Sequence, residues 1–419
     1  ATPGTMRSFG PFLHVAVALI ALCNILVAVS TKKAAFTAPE TEVLQEVGRL
    51  KVVLDCDPGV DDVLALWWLA SAEQQGIVDL LAVTTVAGNA GGKTAFRNAV
   101  IATKFHALLR DKDGIQFGKN GQDASENPSD GFFGGDGMSN LSELMLEAAM
   151  PDRGLDALIP DFDSAPESAE LLVKVLLENE PESVTIIAVG PLTNLAKAEE
   201  ISPGILSRAR EVVIMGGGFG FHGPHAGVDG YSARGNVKTM AEFNFWADAG
   251  SAEKVFNSAK RASHAPDIVL VPLDVTQQLC LTYDQNEQIA KAVDALTKNR
   301  LNHAAAAKAP NVVVHLLSEM VKRLEEPLVE RAQRCLYLHD PAAVGFLLYP
   351  QLFHLRKVQV SVGTEGPFTG HSYTDLRPNL QGPSNAFVAG GVEKAEFLMA
   401  LRRDISLLAV EKALEATDL

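Results

Sequence analysis

Four carboxylates fall within eight positions, at Asp55, Asp57, Asp61 and Asp62, around a Pro58-Gly59 turn. Like charges this close raise one another's pKa, so the cluster calls for something positive in its midst. Its donors are all oxygens, which suits a hard divalent cation such as calcium or magnesium. The plainer reading is a solvated turn capping a helix, because Asp is common at helix N-termini. Position favours the first. Val52-Val53-Leu54 reads as a buried strand and Val63–Ala70 as the helix that follows. The acidic loop thus leaves the C-terminal end of a strand, where open α/β sheets place their ligands.

Other polar stations follow strands in the same way. Gly88-Asn89 ends a second apolar run, and Asn by itself suits a turn. Ala87–Thr94 also has the outline of a phosphate loop, but an acidic loop beside it would repel phosphate. Gly190-Pro191-Leu192-Thr193-Asn194 follows a strand ending at Val189, whose carbonyl would face out of the sheet edge toward a cation. Asn236 and Glu242-Phe243-Asn244 lie close together and suit bonds to vicinal hydroxyls; alone, such residues are more often caps. His339-Asp340-Pro341 follows a short apolar run, and a helix starting at Pro341 would make Asp340 its N-cap.

The elements that must position these residues alternate. Strands are expected at Val52–Leu54, Leu80–Val86, Val184–Val189, Glu211–Met215 and Ile268–Pro272. Helices are expected at Thr94–Leu109, Ser168–Leu177, Leu192–Ala198, Val255–Ala259 and Glu393–Val410, with a helical insertion over Tyr283–Leu324. Such alternation predicts an α/β fold, an open, mostly parallel sheet with helices on both faces. Val358–Val388 alternates enough for a few antiparallel edge strands near the C-terminus. The Gly-, Asp- and Pro-rich stretch Asp111–Pro160 reads as a long loop containing Phe132 and Phe133.

The 419 residues are 47% hydrophobic, ample for one large core, and the net charge of −15 argues against a nucleic-acid partner. Four cysteines, Cys23, Cys56, Cys280 and Cys335, are too few and scattered for a disulfide framework or a zinc site, so they read as small buried residues. Residues 12–29 form an apolar run that reads as a secretory signal or membrane anchor, which sets residues 1–50 apart as leader and linker from a domain over 51–419. That places the chain in the secretory pathway or on a membrane, with a cytoplasmic location as the alternative. Asn140-Leu141-Ser142 is a glycosylation sequon, usable only in a luminal domain.

Together the acidic loop Asp55–Asp62, Val83-Thr84-Thr85-Val86-Ala87-Gly88-Asn89, Gly190-Pro191-Leu192-Thr193-Asn194, Met215-Gly216-Gly217, Asn236, Glu242-Phe243-Asn244 and His339-Asp340-Pro341 resemble the inosine-uridine-preferring nucleoside hydrolases, from about Lys51 to Leu408. The resemblance implies calcium-dependent hydrolysis of ribonucleosides to ribose and free base, a step of purine and pyrimidine salvage. By it, Asp57, Asp62, Asp340 and the Val189 carbonyl would hold calcium, with Asp57 also the general base. Asp61, Asn89, Asn236, Glu242 and Asn244 would bind the ribose hydroxyls, and His339 would protonate the leaving base. A homo-oligomer is a further expectation, on which the sequence gives no subunit number. One stretch departs from the pattern. Where the family often carries a His-Gly pair in the loop over the base, this chain has Phe132-Phe133-Gly134-Gly135, whose rings can stack on a base but cannot protonate it.

Two rival readings stand beside this one. An Asp-x-Asp phosphotransferase would use Asp55 as nucleophile, but would want Thr or Val where Gly59 sits. A non-catalytic ribose- or nucleoside-binding protein would have the same fold, yet every carboxylate of the site is present.

Overall fold

Strand β1 (Leu50–Cys56) is buried from Val52 to Cys56 and lies in the middle of a sheet, covered above and below. The computed structural model describes residues 48–107, 114–121, 134–149, 159–221, 235–261, 267–300, 312–325, 335–375, 377 and 383–415. The apolar run at 12–29 and both Phe132 and Phe133 lie outside them. Residues 50–419 form one compact unit.

In chain order the described elements begin with β1, α1 (Val60–Gln74), β2 (Val78–Thr85), α2 (Gly92–Ala107), β3 (Gln116–Gly118), α3 (Leu141–Ala149), α4 (Ser168–Glu178) and β4 (Val184–Ala188). There follow α5 (Thr193–Ile201), β5 (Glu211–Met215), α6 (Phe243–Ala247), α7 (Ala249–Arg261), β6 (Ile268–Val271), α8 (Leu273–Thr276) and β7 (Cys280–Leu281). The last are α9 (Tyr283–Arg300), α10 (Val312–Glu325), β8 (Leu336–Tyr337), α11 (His339–Leu348), β9 (Phe353–Val358), β10 (Ser361–Val362), β11 (Ser372–Tyr373), β12 (Ala386–Val392) and α12 (Lys394–Glu415).

The main sheet has eight strands in the order β3-β2-β1-β4-β5-β6-β12-β9. All neighbours pair in parallel except β9, which runs antiparallel to β12 at the edge. The expected antiparallel edge is therefore present, but β12 itself joins β6 in parallel. The chain order reverses between β1 and β4, the place where open α/β sheets put a ligand crevice beyond the strand ends. On one face, Leu172 and Val175 of α4, Leu195 of α5 and Phe256 of α7 pack on Val53, Ile186 and Ile214. On the other lie α1, α11 and α12, which pack on one another. Helix α1 is buried on every side from Val60 to Glu73, which explains why it shows no polar face in the sequence.

One expectation is overturned. Cys280 and Cys335 are joined as a disulfide, with Cα atoms 5.7 Å apart, bridging the antiparallel pair β7–β8. A separation of 55 residues hides in sequence what the pairing of two strands brings together. Cys56 is a free thiol and buried, as its sequence setting predicts.

Candidate active site

Helix α1 starts at Val60, earlier than its apolar run indicates, so Asp61 and Asp62 sit in its first turn. The Asp62 carboxylate caps that turn, accepting from the Gly59 N–H at 2.8 Å and the Asp57 N–H at 3.2 Å. Helix α11 likewise starts at His339, with Leu338 as its N-cap, so Asp340 lies inside the first turn and is not the cap. The two helix N-termini meet. They bring the Asp340 carboxyl group beside those of Asp61 and Asp62. Oxygens of Asp61, Asp62 and Asp340 lie within 4.8 Å of one another, all buried.

Burial pushes these acids up first, and their neighbours' charges push further. Asp61 rises to about 7, chiefly by burial and then by the Asp62 charge. Asp57 and Asp340 rise well above the ordinary range for the same two reasons, and Asp62 rises by burial. Among the described residues no Lys or Arg is ion-paired with any of the four. An oxygen-only, buried and uncompensated donor set fits a hard divalent cation.

Asp57 follows β1 and is not within the 4.8 Å group. Its Oδ2 accepts from the Asn89 N–H at 2.8 Å, and the Asn89 amide donates to the Asp57 carbonyl at 3.0 Å. Asn89 thereby joins the end of β2 to the acidic loop, and its amide also reaches Asp62 Oδ2 at 3.4 Å. The backbone is glycine where Asp57 is most crowded. A Cβ on Gly88 would lie 2.0 Å from its Oδ2.

A second group sits across the crevice. The Val189 carbonyl accepts from Asn244 Nδ2 at 2.7 Å, leaving it one further lone pair for a cation. Glu242 caps the short helix α6, its Oε1 accepting from Asn244 N and its Oε2 from Phe245 N and Gly217 N. Burial raises it to about 7 against those three N–H bonds. Asn236 is exposed and accepts from the Phe243 N–H at 2.9 Å. His339 is half-buried, with its Nδ1 2.7 Å from Thr276 Oγ1, and burial lowers its pKa to about 4. That direction is opposite to what a histidinium acid at neutral pH requires. With Thr276 donating to Nδ1, the neutral ring carries its proton on Nε2 and can still donate it.

The structure thus gathers Asp57, Asp61, Asp62, Asp340 and Asn89 on one side, and Val189, Glu242, Asn244 and Asn236 on the other. Phe132 and Phe133 lie outside the described residues. The loop that follows them does reach the site, since Gly137 packs on Ala90 and the Asn89 carbonyl. Asn98 of α2 fixes it there, donating to the carbonyls of Asp136 at 2.7 Å and Pro58 at 3.4 Å. Sequence reasoning missed Asn98 and Thr276. Thr276 ends the short helix after β6, so the rule that found the other stations, polar residues past a strand's C-terminal end, also points to it.

Asp55 is not part of the crevice. It is fully buried, with Oδ1 accepting from Thr84 Oγ1 at 2.6 Å and Asn194 Nδ2 at 2.8 Å. Burial raises it to about 7.

The sequence model of the inosine-uridine preferring nucleoside hydrolases matches residues 52–399. The chain belongs to that family. It is 31% identical over 345 residues to the non-specific ribonucleoside hydrolase RihC of Escherichia coli, covering 81% of this chain and 93% of the relative. It is 27% identical over 331 residues to the inosine-uridine preferring nucleoside hydrolase of Leishmania major, covering 78% of this chain and 88% of that one. The purine-preferring ribonucleoside hydrolase from Gardnerella vaginalis shares the fold, with a TM-score of 0.63, 23% identity, and coverage of 86% and 99%. The mostly parallel sheet of this family member, with its crevice at the β1–β4 reversal, is the fold its sequence predicts.

Proposed function

We propose that this family member is a calcium-dependent nucleoside N-ribohydrolase, releasing ribose and free base. The observation that carries the metal reading is the buried trio Asp61, Asp62 and Asp340 at the crevice. Asp57, Asp62, Asp340 and the Val189 carbonyl are the ligand set we assign, with Asp61 beside them. A bound divalent cation supplies Lewis acidity that orients the attacking water and the sugar diol and makes the water more acidic. Asp57 takes the water's proton. Asp61, Asn89, Asn236, Glu242 and Asn244 hold the ribose hydroxyls; Glu242 Oε1 has one N–H partner and so keeps acceptor capacity for a hydroxyl. His339, through Nε2, protonates the departing base, and Phe132 and Phe133 stack on it. A single displacement by water inverts the anomeric carbon.

The phosphotransferase reading is disfavoured by Asp55, whose carboxylate is sealed in the core and held by Thr84 and Asn194. We also assign residues 12–29 as a secretory signal or membrane anchor, a homo-oligomeric assembly, and base salvage as the use of the products. The Cys280–Cys335 disulfide supports an oxidising compartment. Among the described residues no helix is long and apolar enough to cross a membrane. The deciding experiment is a reducing-sugar assay on inosine, uridine and a nucleoside monophosphate, before and after chelation. Release of ribose from nucleosides, lost on chelation and restored by calcium, is expected. Asp62→Ala should lose metal and activity together while staying folded, and full turnover in metal-free protein would refute the metal site.

A further inference from the structure

Helices α1 and α11 carry Asp61, Asp62 and Asp340 in their first turns, and both end against the same residue of α12. Asp404 is buried, and its Oδ2 accepts from Trp68 Nε1 of α1 at 2.9 Å and from the hydroxyl of Tyr349, the C-cap of α11, at 2.6 Å. Its backbone carbonyl accepts from Ser71 Oγ of α1 at 2.6 Å, and its Oδ1 from Arg403 Nε at 2.8 Å. Arg403 also donates to the Tyr349 hydroxyl. Asp404 lies beyond residue 399, where the match to the family ends.

Helix rise puts Trp68 about 9 Å from Asp62, and Tyr349 about 14 Å from Asp340, along their axes. Three acids crowded within 4.8 Å repel when ionised, so something must resist a slide of one helix along the other. Apolar packing between them is close, since a Cβ on Gly345 of α11 would lie 3.0 Å from the Trp68 ring and 2.3 Å from that of Phe397. Such packing is non-directional, whereas hydrogen bonds fix register.

We propose that Asp404 is a positioning residue for the metal site: by binding the far ends of α1 and α11 it fixes their axial register, and so the convergence of Asp61, Asp62 and Asp340. The proposal rests on the metal reading above. Its effect runs through two helices, so it acts on the geometry of the ligands and not on the substrate.

The test is calcium titration by calorimetry on the full chain, together with melting curves, for Asp404→Asn, Tyr349→Phe and Leu172→Ala. Leu172 is buried in the core on the opposite face of the sheet and serves as a control for lost stability alone. Asp404→Asn should weaken calcium binding by roughly 10-fold, the low end for outer partners of a metal site, and Tyr349→Phe by about 3-fold. Leu172→Ala should melt earlier yet bind calcium as the wild type does. If Asp404→Asn does not fold, Tyr349→Phe carries the test, since it removes one hydroxyl. Wild-type affinity in the folded variants would overturn the proposal, as would an equal loss in Leu172→Ala. A wild type that binds neither calcium nor magnesium would overturn the metal reading and this proposal with it, whereas unchanged variants of a calcium-binding wild type refute this proposal alone.

Discussion

The backbone of Gly190 lies against the carboxylate of Asp57, so close that a Cβ there would sit 2.8 Å from Oδ1 and 2.7 Å from Val86 Cγ1. Gly190 follows Val189, so one glycine lets the end of β4 approach both Asp57, the base we propose, and the core. Gly190→Ala should displace Asp57 and lower kcat by about 10²-fold, the usual penalty for misplacing a reacting group by an ångström. The measurement is steady-state kinetics on inosine at saturating calcium, beside a melting curve. Unchanged kcat in a folded variant would show that Asp57 has room to move.

Glu242 links stability to pH with a definite sign. Its pKa rises from 4.5 to about 7 on folding, because burial outweighs the three N–H bonds it accepts. The folded state holds that proton more tightly, so the contribution is complete below pH 4.5 and is lost as pH rises through about 7. The span corresponds to about 3 kcal/mol at most. The ribose contact we propose for Glu242 would run the other way, since accepting a hydroxyl proton is the work of the ionised form. Denaturant melts of metal-free protein from pH 4 to 8 should show a falling stability whose slope is reduced in Glu242→Gln. Equal slopes in the two proteins would mean that Glu242 titrates alike in the folded and unfolded states.

His339 and Thr276 should act as a pair. His339→Ala should slow inosine hydrolysis by roughly 10²–10⁴-fold, the worth of one general acid. Thr276→Val should slow it by about tenfold, through the loss of the one hydrogen bond between its hydroxyl and His339 Nδ1. Both should matter far less for p-nitrophenyl riboside, whose leaving group departs without a proton. Equal slowing of both substrates would assign His339 to holding the metal site.

Removal of residues 1–39 should leave an active enzyme, because β1 begins at Leu50 and the core is built from later residues. Specific activity and a sedimentation profile of the truncated chain check this. Aggregation or inactivity would show that the leader packs on the domain.

The parallel sheet was legible because its strands are unbroken apolar runs followed by polar stations at their C-terminal ends. Asp57, Asn89 and Val189 could be placed on one edge from that rule alone. Helix starts were less legible. Asp62 caps its own helix from the first turn, so α1 begins at Val60, ahead of the apolar residues that announce it. Asp340 looked like a cap for the same reason, although Leu338 holds that place. The Cys280–Cys335 pair and Asp404 were illegible because each depends on a partner far away in sequence. Asp404 in particular reads as a charged residue on a C-terminal helix, and only packing shows that it is buried.

The Cys280–Cys335 bond closes a covalent ring that contains α9 and α10 and whose neck lies just before His339. The cost of closing a ring grows only with the logarithm of its length, by about 0.6 kcal/mol for each doubling. Residues added or removed inside the ring therefore pull little on the strand that delivers His339 and Asp340. The buried faces of α9 and α10 remain held by the core, and a single proteolytic nick within the ring would leave both halves of the molecule still tied together.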